Sequence, residues 1–145
     1  MNYKKIMLTE GYSGTPLVKK LGIKENMRVL LINQPENYFA LLEKNITGQF
    51  CKKSEQPDFI HLFAKTKKDF ETEMRKLKPV IKPTTSIWVS WYKKSAGIGT
   101  DLTEDVIRNY ALQNDLVDIK VCAVSDVWSG LKLVVPVAKR PKNHS

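Results

Sequence analysis

The chain has 145 residues, 42% hydrophobic and 27% charged, which is the composition of one ordinary globular domain and excludes a disordered or fibrous polypeptide. Lys and Arg number 24 against 15 Asp and Glu, a formal charge of +9. No apolar run approaches the roughly 20 residues that cross a bilayer. Met1-Asn2-Tyr3-Lys4-Lys5-Ile6 is followed by no apolar segment with a small-residue cleavage site, so a cytoplasmic protein without a secretory signal is expected.

In chain order, Thr15 and Pro16 followed by Gly22 mark a short helix over 15–22. Threonine caps, proline fits the first helical position and glycine ends the helix. Residues 28–33 form an apolar run of the kind buried on both faces of a parallel sheet. The turn Asn33-Gln34-Pro35 leads into a helix over 36–43, with Tyr38, Leu41 and Leu42 at helical spacing. Residues 45–57 are polar, with a short edge strand predicted at 49–51. A second strand over 58–64 precedes a capping box, Thr66 with Asp69, that opens a helix carrying Phe70, Met74 and Leu77. Pro79 and Pro83 end that helix. Residues 86–91 form a third strand and 92–100 a loop. The next helix is expected to start at Asp101, with the Asp101 side chain as cap and Glu104 reaching back. Its apolar residues are Leu102, Val106, Ile107, Tyr110 and Leu112. Two last strands, 118–124 and 131–137, flank the connection 125–130 and read as a hairpin. Residues 138–145 read as a basic tail, disordered at its end.

Strands alternating with helices, then a hairpin, predict an α/β fold: a single Rossmann-like, three-layer domain over 1–137 with a mostly parallel sheet. This is the element order of class I methyltransferases, which argues for architecture and not for activity.

Cys51 and Cys122 have no Cys or His partner at metal-ligand spacing, so both are read as reduced and no metal site is expected. The charge of +9 raises a nucleic-acid hypothesis, because phosphate neutralisation dominates such binding. Yet only Arg28, Arg75, Arg108 and Arg140 are arginine, the residue that planar bidentate recognition favours. The scattered lysines read as a solvated surface.

Several segments are distinctive: Trp91-Tyr92-Lys93-Lys94-Ser95, Thr100-Asp101-Leu102-Thr103-Glu104, Leu116-Val117-Asp118-Ile119-Lys120-Val121-Cys122-Ala123 and Trp128-Ser129-Gly130-Leu131. With Tyr12-Ser13-Gly14-Thr15-Pro16-Leu17 and Asp58-Phe59-Ile60-His61-Leu62-Phe63 they resemble a small bacterial domain family of unknown function. The resemblance runs over nearly the whole chain and implies a compact methyltransferase-like domain without an established activity. The family pattern has proline where Tyr92 stands and glycine where Asp115 stands.

Binding of S-adenosylmethionine in this fold needs a glycine-rich turn after the first strand, so that the backbone can approach the cofactor. Here the turn is Asn33-Gln34-Pro35-Glu36-Asn37, with no glycine between Gly22 and Gly48. Proline stiffens it and removes a donor, so S-adenosylmethionine is disfavoured and no cofactor is expected. The loop Lys93-Lys94-Ser95-Ala96-Gly97-Ile98-Gly99-Thr100 leaves a strand's carboxyl end and feeds a helix, where open α/β sheets place ligands. Lys93, Lys94, Ser95, Gly97, Gly99 and Thr100 make a candidate cradle for phosphate or carboxylate. Asn33, Pro35, Trp91 and Trp128 are the candidate crevice lining. The loop is no Walker A motif, because its lysines precede its glycines. Against the cradle, a capping Asp101 would already occupy the helix amides, and the plain alternative is a solvated corner whose glycines permit a turn. Trp128, in the predicted turn, either roofs a pocket or interface or folds back as core. His61, mid-strand, reads as a core histidine, and Ser13 lacks the setting of a nucleophile elbow.

These readings lead to a non-catalytic or catalytically degenerate methyltransferase-like module holding a small anionic ligand. The alternatives are a divergent S-adenosylmethionine-dependent methyltransferase and a basic nucleic-acid- or protein-binding domain.

Overall fold

The structure, a computed structural model, describes residues 15–139. Five strands, β1 (Val29–Ile32), β2 (Phe59–Phe63), β3 (Ser86–Tyr92), β4 (Val117–Ala123) and β5 (Trp128–Val134), form one sheet in the order β1-β2-β3-β5-β4. The first three run parallel; β5 is antiparallel to both β3 and β4. The helices are α1 (Leu17–Leu21), α2 (Tyr38–Leu42), α3 (Lys67–Leu77) and α4 (Glu104–Gln113).

Alternation along the strands feeds two apolar clusters. Phe59 and Phe63 of β2 join Trp88 of β3 with Leu17 and Leu21 of α1 and Tyr38 and Leu42 of α2. Ile60 and Leu62 point the other way, with Val89 and with Phe70 and Met74 of α3 and Ile107 and Ala111 of α4. Every residue of β2 is therefore buried, which is why its sequence reads as an unbroken apolar run.

Several boundaries differ from expectation. Pro16, not Thr15, is the cap residue of α1, while Gly22 ends the helix in the left-handed region at φ 80°. Five residues are too few to hold a helix alone; Trp88 anchors it by donating from Nε1 to the Leu21 carbonyl at 2.8 Å. The edge strand expected at 49–51 is reduced to a single parallel bridge between Phe50 and Val29. Between β1 and β2 the chain thus lays α2 on one cluster, touches the outer edge of β1 and returns. Strand β5 starts at Trp128 instead of 131, because Trp91 and Tyr92 of β3 pair with Ser129 and Trp128. The connection contracts accordingly, and the Ser125 hydroxyl accepts the N–H groups of Val127 and Trp128, both at 3.1 Å. Leu112, expected on the apolar face of α4, is 59% exposed.

Asp115 sits at φ 62°, the region glycine adopts most readily. Val137–Lys139 form a short 3-10 turn, and Lys139 pairs with Asp115 at 3.3 Å. The remainder of the tail, and the N-terminal residues on which the readings of a leader and of Ser13 rest, lie outside the described residues. Among the described residues no helix is long and apolar enough to cross a membrane.

Candidate functional site

After Tyr92 the chain makes a 3-10 turn at Lys94–Ala96 and reverses at Gly97, φ 71°, a conformation that explains that glycine. Thr100 then pins the loop to the segment after β2. Its hydroxyl donates to the Lys65 carbonyl at 2.7 Å and accepts the Leu102 N–H at 3.0 Å. With Thr100 held there, the Asp101 carboxylate accepts the Lys67 N–H at 2.8 Å, in the first turn of α3. Asp101 is therefore not the cap of α4. That helix starts later, capped by Thr103, whose hydroxyl accepts the Val106 N–H at 3.2 Å.

Asp101 therefore leaves the first amides of α4 unfilled. The N–H groups of Ile98 and Gly99 in the loop, and of Glu104 and Asp105 in the first turn of α4, have no acceptor among the described residues. These four residues line a pocket of about 710 Å³ whose wall also includes Trp91, Tyr92, Lys94, Gly97 and Thr100. Glu104 and Asp105 complete the wall on the helix side. Their carboxylates are matched by Arg108, which bonds Glu104, Asp105 at 2.9 Å and Asp118 at 3.1 Å. A side chain at Gly99 would meet nothing within 4 Å, so packing does not demand glycine there.

The fold thus gathers Trp91, Lys94, Gly97, Gly99 and Thr100 on one wall. Lys93 and Ser95 belong to the same loop but not to the wall, and the Lys93 N–H is bound by the Val127 carbonyl at 2.8 Å. Asn33 and Pro35 are not on the wall either: Asn33 is exposed at φ 58°, and the Pro35 carbonyl accepts the Tyr38 N–H at 3.1 Å to start α2. Trp128 is 8% exposed and buttresses Tyr92. Their rings stack with centroids 4.5 Å apart, and Phe63 meets Trp128 edge-on at 5.1 Å. The helix side of the pocket, Thr103 to Asp105, escaped sequence reasoning because it depends on where α4 begins.

A second polar arrangement also went unread. The Tyr38 hydroxyl lies 2.8 Å from His61 Nδ1, and His61 Nε2 lies 2.8 Å from the Ser90 hydroxyl. His61 and Ser90 are 0% exposed and Tyr38 2%. Burial pushes the imidazole down to about 3 and the phenol well above its ordinary value. A neutral histidine sealed from solvent cannot meet a substrate, so this serine and histidine form a strut joining α2, β2 and β3. The described residues contain no cluster of His, Cys, Asp or Glu suited to a metal ion.

No protein-family model matches the chain, and no curated protein matches it. Solved structures do. A protein of the NADB-Rossmann superfamily from Streptococcus agalactiae is similar at TM-score 0.52 and 10% identity, over 90% of this chain and 71% of that one. An uncharacterized protein from Listeria monocytogenes serotype 4b is similar at TM-score 0.56 and 10% identity, over 100% of this chain and 72% of that one. Sp1610 from Streptococcus pneumoniae, named as a candidate tRNA (m1A22) methyltransferase, is similar at TM-score 0.51 and 9% identity, over 100% of this chain and 74% of that one. At such identities the likeness is one of fold: a mixed α/β chain with a five-stranded, Rossmann-like and methyltransferase-like sheet.

Proposed function

We propose that this chain is a non-catalytic or catalytically degenerate methyltransferase-like module, three-layered and closed by a C-terminal hairpin, that holds a small anionic ligand beside Lys94. The carrying observation is that Ile98, Gly99, Glu104 and Asp105, whose N–H groups have no acceptor among the described residues, line a pocket together with Lys94. Open amides at a helix start, together with an ammonium group, favour phosphate or carboxylate. Lys93 and Ser95 add charge and a hydroxyl from the same loop, while Trp91 and Tyr92 offer flat surface to the uncharged part of the ligand. The resemblance to a small bacterial family of unknown function belongs to this reading, as does a cytoplasmic setting.

S-adenosylmethionine has no part in it. The turn after β1 lies off the pocket wall, and Pro35 has no amide to offer. Because one solved neighbour is named as a candidate tRNA methyltransferase, the competing reading is a divergent methyltransferase, and one experiment separates the two. Melting of the full chain is followed with phosphate, ADP, S-adenosylmethionine and S-adenosylhomocysteine. Phosphate or ADP should raise the melting temperature, by about 2.7 kcal/mol of stabilisation at a hundredfold excess over Kd, and Lys93→Ala with Lys94→Ala should abolish the shift. Stabilisation by the adenosyl compounds alone overturns the proposal in favour of the enzyme. No shift with any ligand removes the pocket reading.

A further inference from the structure

Lys20 and Lys24 are far in sequence from Lys120 and Lys132, and the fold brings the two pairs together. Lys120 of β4 and Lys132 of β5 are paired in the antiparallel register, so their side chains share a face with Cβ atoms about 5 Å apart. Like charges placed so oppose folding. The Lys120 ammonium lies 3.4 Å from the Lys20 carbonyl in α1. The Lys132 ammonium reaches Gly22, just past that helix, where it would lie 3.8 Å from an added Cβ. Both therefore converge at the carboxyl end of α1.

The carbonyl end of a helix attracts a cation, which accounts for Lys120. Lys132 is left over. It is half-buried, and its ammonium makes no hydrogen bond or ion pair among the described residues. Burial, then Lys120 and Lys24, push its pKa down. The acidic residues nearest in sequence to Lys120 and Lys24 are already engaged, Asp118 of β4 with Arg108 at 3.1 Å and Glu25 with Lys44 at 3.5 Å, and Asp126, the one nearest to Lys132, forms no ion pair with it. A half-buried ammonium facing a second one across a strand pair, without a counter-ion, contributes nothing to this fold that a neutral residue would not supply better.

We propose that Lys20, Lys24, Lys120 and Lys132, gathered where α1 ends over β4 and β5, bind phosphate groups at a site separate from the pocket, with which they share no residue. Lysines act as point charges that neutralise phosphate without reading a base, so the ligand is recognised for its phosphates alone. Those phosphates come from a nucleic-acid backbone or from a free phosphate compound, and the experiment distinguishes the two.

Binding of a labelled RNA duplex to the full chain is measured by fluorescence anisotropy across a salt series, and binding of inorganic pyrophosphate by calorimetry. Each is repeated with Lys120→Gln plus Lys132→Gln, and with Lys52→Gln plus Lys68→Gln, a charge-matched control at exposed sites elsewhere. Thermal melts confirm folding, since relieving the lysine pair should not lower the melting temperature. We expect salt-sensitive RNA binding that weakens about tenfold or more in the cluster variant, with the log–log salt slope reduced by about 2, and about the wild-type affinity in the control. Binding of pyrophosphate but not RNA, with the same selective loss, supports the site and identifies a free phosphate ligand. The proposal is overturned if neither probe binds, if both double variants lose affinity equally, or if Lys94→Ala abolishes binding, which would return the ligand to the pocket.

Discussion

At His61 the imidazole sits between a phenol and a serine hydroxyl, 2.8 Å from each, with no path to solvent. Burial lowers its pKa from 6.5 to about 3. The unfolded chain therefore takes up a proton that the folded chain refuses. Stability is fully present above about pH 6.5 and falls as pH drops toward 3, by at most about 1.4 kcal/mol per pH unit. Asp58 contributes in a lower window. Its carboxyl is held below the ordinary 3.8, first by the Arg28 N–H and then by the Lys82 ammonium, so its share is lost only as pH falls through the carboxylate range. Urea unfolding between about pH 6.5 and pH 5 thus isolates the histidine. The wild-type free energy should decline across that window, and His61→Gln should flatten it. A level wild-type profile would contradict the buried neutral imidazole. His61 was readable as a core residue from its apolar neighbours; its partners, 23 and 29 residues away, were not.

Helices α3 and α4 begin side by side, and their first turns share the loop that borders the pocket. Thr66 caps α3 through the Asp69 N–H at 3.0 Å, Thr103 caps α4 through the Val106 N–H at 3.2 Å, and Asp101 bridges to Lys67 at 2.8 Å. Thr103→Ala should cost about 1 kcal/mol, as other lost caps do, with faster amide exchange at Val106. Asp101→Ala should instead speed exchange at Lys67 and leave Val106 protected. The reverse pattern would restore Asp101 as the cap of α4. Local information sufficed for Thr66 with Asp69, and for the three parallel strands, whose burial writes itself into composition. It misled at Asp101, because Asp101 with Glu104 forms a capping signature whereas Thr103 with Val106 does not. What decides between them is the Thr100 hydroxyl on the Lys65 carbonyl, 35 residues away. The loop side of the pocket was legible for the opposite reason: strand followed by helix is enough to place it at a carboxyl end.

Across the whole molecule, 24 cationic residues face 15 anionic ones, and the ion pairs that offset them are mostly at the surface. Lys44–Glu25 is 43% and 88% exposed, and Lys139–Asp115 is 59% and 71% exposed; such pairs are worth about 0–1 kcal/mol each. Folding draws the excess of +9 into one small volume, and in the lysine cluster it sets like charges directly opposite each other. Self-repulsion should therefore outweigh attraction, and screening should stabilise the fold. With a Debye length of about 10 Å at 0.1 M salt, sodium chloride added from low ionic strength should raise the melting temperature. Lys120→Gln with Lys132→Gln should melt higher than wild type at low salt and gain less from sodium chloride, because the repulsion that salt screens has been removed. A melting temperature that falls with salt would mean instead that attractive networks such as Arg108 with Glu104, Asp105 and Asp118 dominate the balance. Phosphate compared with chloride at equal ionic strength divides screening from occupancy. Both anions screen alike, but only a bound one adds the mass-action stabilisation of a ligand. Any excess due to phosphate must then vanish in the variant that lacks the occupied site, Lys93 with Lys94 for the pocket or Lys120 with Lys132 for the cluster.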